Sequence, residues 1–254
     1  MIRVFHVISL RIWPIVIRIA VLVRFLRLYL SIKVGFNILL LIAVLVILRW
    51  FKDVRRERDL LIEHRFLNNI FFKTGIILFI TSEIIFFVSF FWCYFDFVLV
   101  VDLELGRVWP PKGIQSINPF RIPLLNTLIL LSSGVLITWT HFSILNNDWF
   151  YAVVTLLFTL ILGVYFLCVQ FEEYIDATYT FIRRGYGRIF FLATGFHGFH
   201  VILGCALLRA RLYRLLILRA DALRHYNFEF SAWYWHFVDV VWLFLFVFIY
   251  WWGF

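Results

Sequence analysis

Long apolar runs alternate with short charged breaks along this chain. A run of about 20 residues, rising ~1.5 Å per residue as a helix, crosses the ~30 Å hydrocarbon core of a bilayer. The pattern predicts helical spans over 34–51, 71–100, about 122–145, 149–171, about 186–212 and 228–254. Residues 1–33 are less regular, because Arg18, Arg24 and Arg27 interrupt the apolar run that Trp13-Pro14 opens. This segment either spans with its arginines against protein or lipid phosphate, or lies on the membrane as an amphipathic helix. Spanning is preferred, giving about seven spans and an all-α, polytopic class. The breaks are KDVRRERDLLIEHR (52–65), a proline-bearing stretch ending WPPKGIQSINPF, an NND turn, EEYIDATYTFIRRGYGR (172–188) and RARLYRLLILRADALRHYNFE (209–229). Consecutive prolines disfavour helix, so WPPKGIQSINPF is expected as an ordered interfacial loop anchored by Trp109.

Composition sharpens this picture. Hydrophobic residues make up 64% and aromatic residues 21% of the chain, against about 45–50% apolar in a soluble domain. The formal charge of +9 raises the question of nucleic acid. The basic residues sit in the breaks, however, as lipid head groups and the positive-inside rule require. Arg49, Lys52, Arg55, Arg56, Arg58 and Arg65 in one break share a side, under seven spans, with Arg209, Arg211, Arg214, Arg219 and Arg224 in another. That side, with the N-terminus, is assigned to the matrix or cytoplasm. No A-x-A-like site follows an apolar run, so no cleavable signal peptide is expected. Cys93, Cys168 and Cys205 lie far apart within apolar runs and are expected as buried, inert thiols.

Candidate chemistry rests on polar groups inside the spans. Glu83 is a mid-span acid, which costs about +2.5–3.5 kcal/mol on insertion scales. Two readings stay open: a protonated, hydrogen-bonded packing residue, or a functional proton or lipid-linked site. His197 and His200 are three apart and share a helix face. They could begin a metal site, but no further His or Cys completes it, so structural hydrogen bonding is favoured. Gly195, Gly198 and Gly204 beside them argue for close helix contact. His236 and Asp239 share a face in the last span and should turn toward protein rather than lipid. Ser132, Ser133 and Gly134 form a small-residue patch, and His141 is expected to pack rather than to bind a ligand. Trp233 and Trp235 at one end of the last span, and Trp251 and Trp252 at the other, are expected at the membrane edges.

Several stretches together resemble subunit III of the haem-copper respiratory oxidases, above all the mitochondrial cytochrome c oxidase family. They are GIILFITSEIIFFVSFFW, WPPKGIQSINPFRIPLLNTLILLSSGVLITW, Gln170 with Glu173-Tyr174, YGRIFFLATGFHGFHVILG and WYWHFVDVVWLFLF followed by IYWWG. The similarity covers about four-fifths of the chain, from about Trp50 onward. It implies a helix pair over 1–70 with a matrix-side loop, then a five-helix bundle over 71–254, with a V-shaped cleft holding phospholipids between them. It implies a non-catalytic subunit beside catalytic subunit I and other complex IV subunits in the mitochondrial inner membrane, a bacterial plasma membrane being the other option. Haem a and copper would sit in those partners, with no cofactor or metal here. The chain would support stability and proton uptake of the catalytic subunit while the complex reduces O2. By the resemblance, Glu83 matches a buried carboxylate that reacts with carbodiimide. Trp50, Glu57, His64, Glu83, His200 and Arg214 match the lipid-binding set, the lipids being cardiolipin, phosphatidylglycerol or phosphatidylethanolamine. His197, His236, Asp239 and Glu173 are structural polar residues. The chain departs from the family at Glu63, Phe51 and Asp96, and in its arginine-studded first run.

Two rival functions remain. One is subunit III of a quinol oxidase. The other is an independent proton-coupled transporter with Glu83, His236 and Asp239 as a relay. A transporter more often shows repeated halves and broken mid-membrane helices, and neither is evident in the sequence.

Overall fold

The structure is a computed structural model that describes residues 45–46, 49, 65–100, 116–179, 185–218 and 226–254. Contacts divide the chain into two compact units, Met1–Asn68 and Asn69–Phe254. The described helices belong to the second, apart from the first residues of the earliest one. The first N-terminal span, most of the second, residues 52–64 and Trp109 lie outside the described residues.

Five helices follow one another: α1 (Arg65–Leu99), α2 (Ile122–Leu145), α3 (Trp149–Asp176), α4 (Gly185–Leu218) and α5 (Tyr226–Leu245). α5 continues into a π-helical turn over Phe246–Trp251. Each carries a stretch long and apolar enough to cross a membrane, and no strand occurs among the described residues. The chain is a polytopic, all-helical membrane protein.

The spans at 71–100, 122–145 and 149–171 stand where the apolar pattern puts them, but the helices outrun the greasy runs. α1 begins at Arg65, α3 continues to Asp176, and α4 continues to Leu218. Residues 213–218, expected within a loop, are therefore helical. The sequence RARLYRLLIL is built of good helix formers, and nothing in it breaks the hydrogen-bond ladder when the helix leaves the hydrocarbon. The ends are better marked. Pro123 stands in the first turn of α2, where a missing N–H costs nothing. Between α2 and α3, Asn147 adopts φ 60°, a left-handed conformation that Asn tolerates, and the Asp148 N–H closes the turn on the Ser143 carbonyl at 2.8 Å.

α2, α3, α4 and α5 pack in a ring: α2 on α3, α3 on α4, α4 on α5, and α5 back on α2. The most apolar window of α5 is 56% buried, that of α1 only 6%. α5 is thus the central stave, and α1 leans on the outside of α4 and α5. Ring contacts carry that lean: Phe86 on Phe196 at 5.2 Å, Phe87 on Phe237 at 6.2 Å and Phe91 on Phe248 at 5.8 Å.

Trp235 sits at the centre of the ring and is fully buried. A β-carbon on Gly163 of α3 would stand 2.7 Å from its indole, and one on Gly204 of α4 would stand 2.8 Å away. The two glycines are the slot that admits the indole. Its Nε1–H donates to Ser133 Oγ on α2 at 2.9 Å, so one side chain ties three helices to its own. Trp235 is therefore a core residue and not an interfacial anchor. Trp251 and Trp252, by contrast, are exposed on the last turn. Gly204 makes the close contact expected of it, while Gly195 has no neighbour within 4 Å and Gly198 barely touches Leu167. The cysteines differ from expectation too: Cys93 and Cys168 are exposed and Cys205 is half-buried. Apolar residues on an outward face suit a membrane helix, whose surroundings are as greasy as its core.

Candidate functional site

The mid-span polar residues fall into three groups. The first joins α1 to α4. Glu83 stands near the middle of the Lys73–Leu99 span and His200 near the middle of Tyr186–Ile217. Glu83 Oε2 lies 2.9 Å from His200 Nε2, and His200 Nδ1–H donates to the Phe196 carbonyl at 2.7 Å. With Nδ1 committed as a donor to backbone, Nε2 is the nitrogen that faces the carboxyl, and the two groups satisfy one another. This is how a carboxyl survives at that depth: mutual hydrogen bonding removes most of the penalty of placing it in hydrocarbon. The His200 ring lies against Phe87 at 5.1 Å and Tyr234 at 6.3 Å. The histidine is almost fully covered, whereas 24% of the Glu83 side chain remains open. Glu83 thus presents its edge to the uncovered face of α1.

The second group binds α2, α3 and the π-helical turn. Gln170 is the hub. Its Oε1 accepts from Asn126 Nδ2 at 3.2 Å, and its Nε2 donates to Glu173 Oε2 at 3.1 Å and to the Tyr250 hydroxyl at 3.3 Å. Tyr250 also reaches Glu173. All four are buried. Nearby, the Tyr174 hydroxyl donates to Thr194 Oγ1 at 2.7 Å. Beyond the spans, burial pushes the Tyr179 hydroxyl pKa up, so it stays protonated against Tyr186 and Phe190.

The third group lies along α5. His197 Nε2–H donates to the Val238 carbonyl at 3.2 Å, and its ring is enclosed by Phe166 and Trp242. Trp242 Nε1–H in turn donates to Thr127 Oγ1 at 3.0 Å. His197 and His200 point to different helices despite sharing a face: one bonds α5, the other α1. Asp239 is buried, whereas 44% of the His236 side chain is exposed. Asp239 is thus turned into the ring, while His236 stands on its outer side. His141 packs against Phe228, ring centres 6.0 Å apart.

No group of three or more His, Cys, Asp or Glu among the described residues could hold a metal. At the end of α4, Arg211 Nε–H donates to Ser231 Oγ at 3.0 Å, and half-buried Arg214 stands one turn further. On the same flank Lys73 lies 3.9 Å from Glu229. Trp50, Glu57 and His64 lie outside the described residues.

The Gln170 hub escaped the sequence reading, although its components were visible. Asn126 and Gln170 are amides inside apolar runs, and such groups need partners as surely as a carboxyl does. The Gly163 slot had no comparable signal, since a single glycine in a span of 28 residues does not reveal which indole it faces.

The chain has close counterparts in sequence. The family model described as "Cytochrome c oxidase subunit III" matches residues 3–254. "Cytochrome c oxidase subunit 3" of Drosophila melanogaster is 50% identical over 213 residues, covering 84% of this chain and 81% of the relative. The protein of the same name from Paracentrotus lividus is 47% identical over 245 residues, covering 95% and 94%, and that from Aedes aegypti is 48% identical over 213. The chain belongs to the cytochrome c oxidase subunit III family, multi-pass membrane components of the terminal oxidase of the respiratory chain.

Proposed function

We propose that this chain is a non-catalytic subunit of a mitochondrial inner-membrane cytochrome c oxidase. It lies beside the haem- and copper-bearing catalytic subunit I, holds phospholipids there, and supports that subunit's stability and proton uptake. The observation that carries the reading is the Glu83–His200 pair. It is a mid-membrane, hydrogen-bonded pair whose carboxyl edge is open on a helix face that the described residues leave largely uncovered. Such a face calls for lipid or protein against it, and a paired carboxyl there can hold a proton without adding charge to the membrane interior.

The other deep polar groups support the same view. His197 and the Gln170 hub are committed to bonds between helices, which is the work of a scaffold. Lipid phosphate would be met nearer the membrane edge, where Arg214 offers a charge-assisted, bidentate donor. At mid-span depth the open edge of Glu83 would face acyl chains.

The test is purification of the chain in mild detergent, followed by a visible spectrum and identification of its companions. Co-purification with a haem a absorbance and a catalytic oxidase subunit is expected. A homogeneous preparation of this chain with no haem-bearing companion would overturn the proposal.

A further inference from the structure

An open groove runs between α2 and α5 on the outside of the ring. Gly134 and Asp239 form its floor, with Val135, Thr138, His236 and Val240 along its walls. Asp239 is 6% exposed, and its Oδ1 is buried without a hydrogen-bond partner. Its Oδ2 lies against α2, where a β-carbon on Gly134 would stand 2.8 Å away. The nearest polar group is His236 Nδ1, at 4.0 Å from Oδ2, which is beyond hydrogen-bonding length. Thr138 gives its proton to the Gly134 carbonyl at 2.9 Å, and its Oγ1 lies 3.5 Å from His236 Nε2. Among the described residues, then, no donor reaches Asp239 Oδ1, and the imidazole beside it is 44% exposed.

Depth decides what can cover this pair. Residue 239 stands at the middle of the Phe228–Trp251 span, about 17 Å along the helix from either end. A phospholipid head group does not reach that level, and an acyl chain offers no hydrogen bond. Polar groups left bare in hydrocarbon are costly, so those within spans are met by protein. The walls otherwise present Val135 and Val240, both exposed, an apolar surface on which a neighbouring helix can pack. We infer that the α2–α5 groove is the docking site for a transmembrane helix of another oxidase subunit, one that inserts a hydrogen-bond donor side chain toward Asp239 Oδ1. The donor is a hydroxyl, indole, ammonium or guanidinium group, since the site presents acceptor oxygens. This rests on the chain's being an oxidase subunit, as proposed above.

A map of the intact oxidase purified with this chain bound is the direct test. A donor atom from another subunit within ~3.5 Å of Asp239 Oδ1 is expected. Acyl chain alone in the groove, water alone, or a helix from residues 1–51 of this same chain overturns the inference. Two variants in the complex read the same bond. Asp239→Asn keeps the acceptor oxygen and should hold the chain in the complex through a detergent wash. Asp239→Leu should weaken retention roughly three- to tenfold, the range that transmembrane hydrogen bonds command. Equal retention of the two counts against the site. Should Asp239→Leu not assemble, Val240→Trp fills the groove from an exposed position, and undiminished retention of that variant overturns the inference. A chain that stays with the haem-bearing complex while its groove holds only lipid sinks the docking site alone, whereas a chain absent from that complex sinks the proposed function.

Discussion

Glu83 and His200 show how much one pairing changes the meaning of a residue. In the sequence Glu83 is an isolated acid and His200 the second member of a possible metal pair. In the structure each is the other's partner at 2.9 Å, and the His200 Nδ1–H bond to Phe196 fixes which nitrogen faces the carboxyl. Glu83→Gln preserves a hydrogen-bonding partner for Nε2 and should leave oxygen reduction by the assembled complex largely intact, measured as oxygen consumption per haem. A near-total loss in a fully assembled complex would contradict the non-catalytic role. Glu83→Leu leaves the imidazole alone in the membrane and should lower the stability of the subunit by ~1–2 kcal/mol. Thermal dissociation of the chain from the complex would show it, with Gln close to wild type and Leu below both.

Among the elements, α5 does the most joining. Two of its indoles, Trp235 and Trp242, donate to Ser133 and Thr127 of α2, and its Val238 carbonyl accepts from α4. Without a hydrophobic drive between helices in lipid, close packing and such bonds are what hold the ring together. The Trp235 slot is a tight point, because Gly163 leaves no room for a methyl group. Gly163→Ala should overpack it and cost about 1–3 kcal/mol, seen as a lower midpoint for dissociation of the chain in a detergent series. Gly195→Ala, where a β-carbon meets nothing within 4 Å, is the internal control and should be close to neutral. Equal sensitivity of the two positions would mean that the slot is not what holds the indole.

For the whole molecule, the question is what the outer faces meet. Among the described residues, α1 is bare over most of its apolar window, the α2–α5 groove holds an unsatisfied carboxyl oxygen, and Arg214 stands near the end of the Tyr186–Ile217 span. Arg214→Ala should reduce phospholipid retained by the purified complex by about one molecule, since a charge-assisted phosphate contact is lost. Unchanged lipid stoichiometry by native mass spectrometry would remove Arg214 from the lipid-binding set.

The apolar runs by themselves determined that this is a helical, multi-pass membrane protein and located its described spans. Run length against bilayer thickness is a one-dimensional quantity, read along the chain without knowing any neighbour. The stretches around GFHGFH, Glu83 and WYWHFVDVVW likewise carried the family. The sequence was poor at helix ends, where RARLYRLLIL stays helical past the greasy run, and at facing: Trp235 looked like an edge anchor and is the core. Only the tertiary structure decided those points and the pairings Glu83–His200, Gln170–Glu173–Tyr250 and Asp239 over Gly134. In a chain whose spans are apolar on every side, hydrophobicity cannot say which face turns inward. That choice falls to a few glycines and buried polar atoms, whose partners lie tens of residues away along the chain.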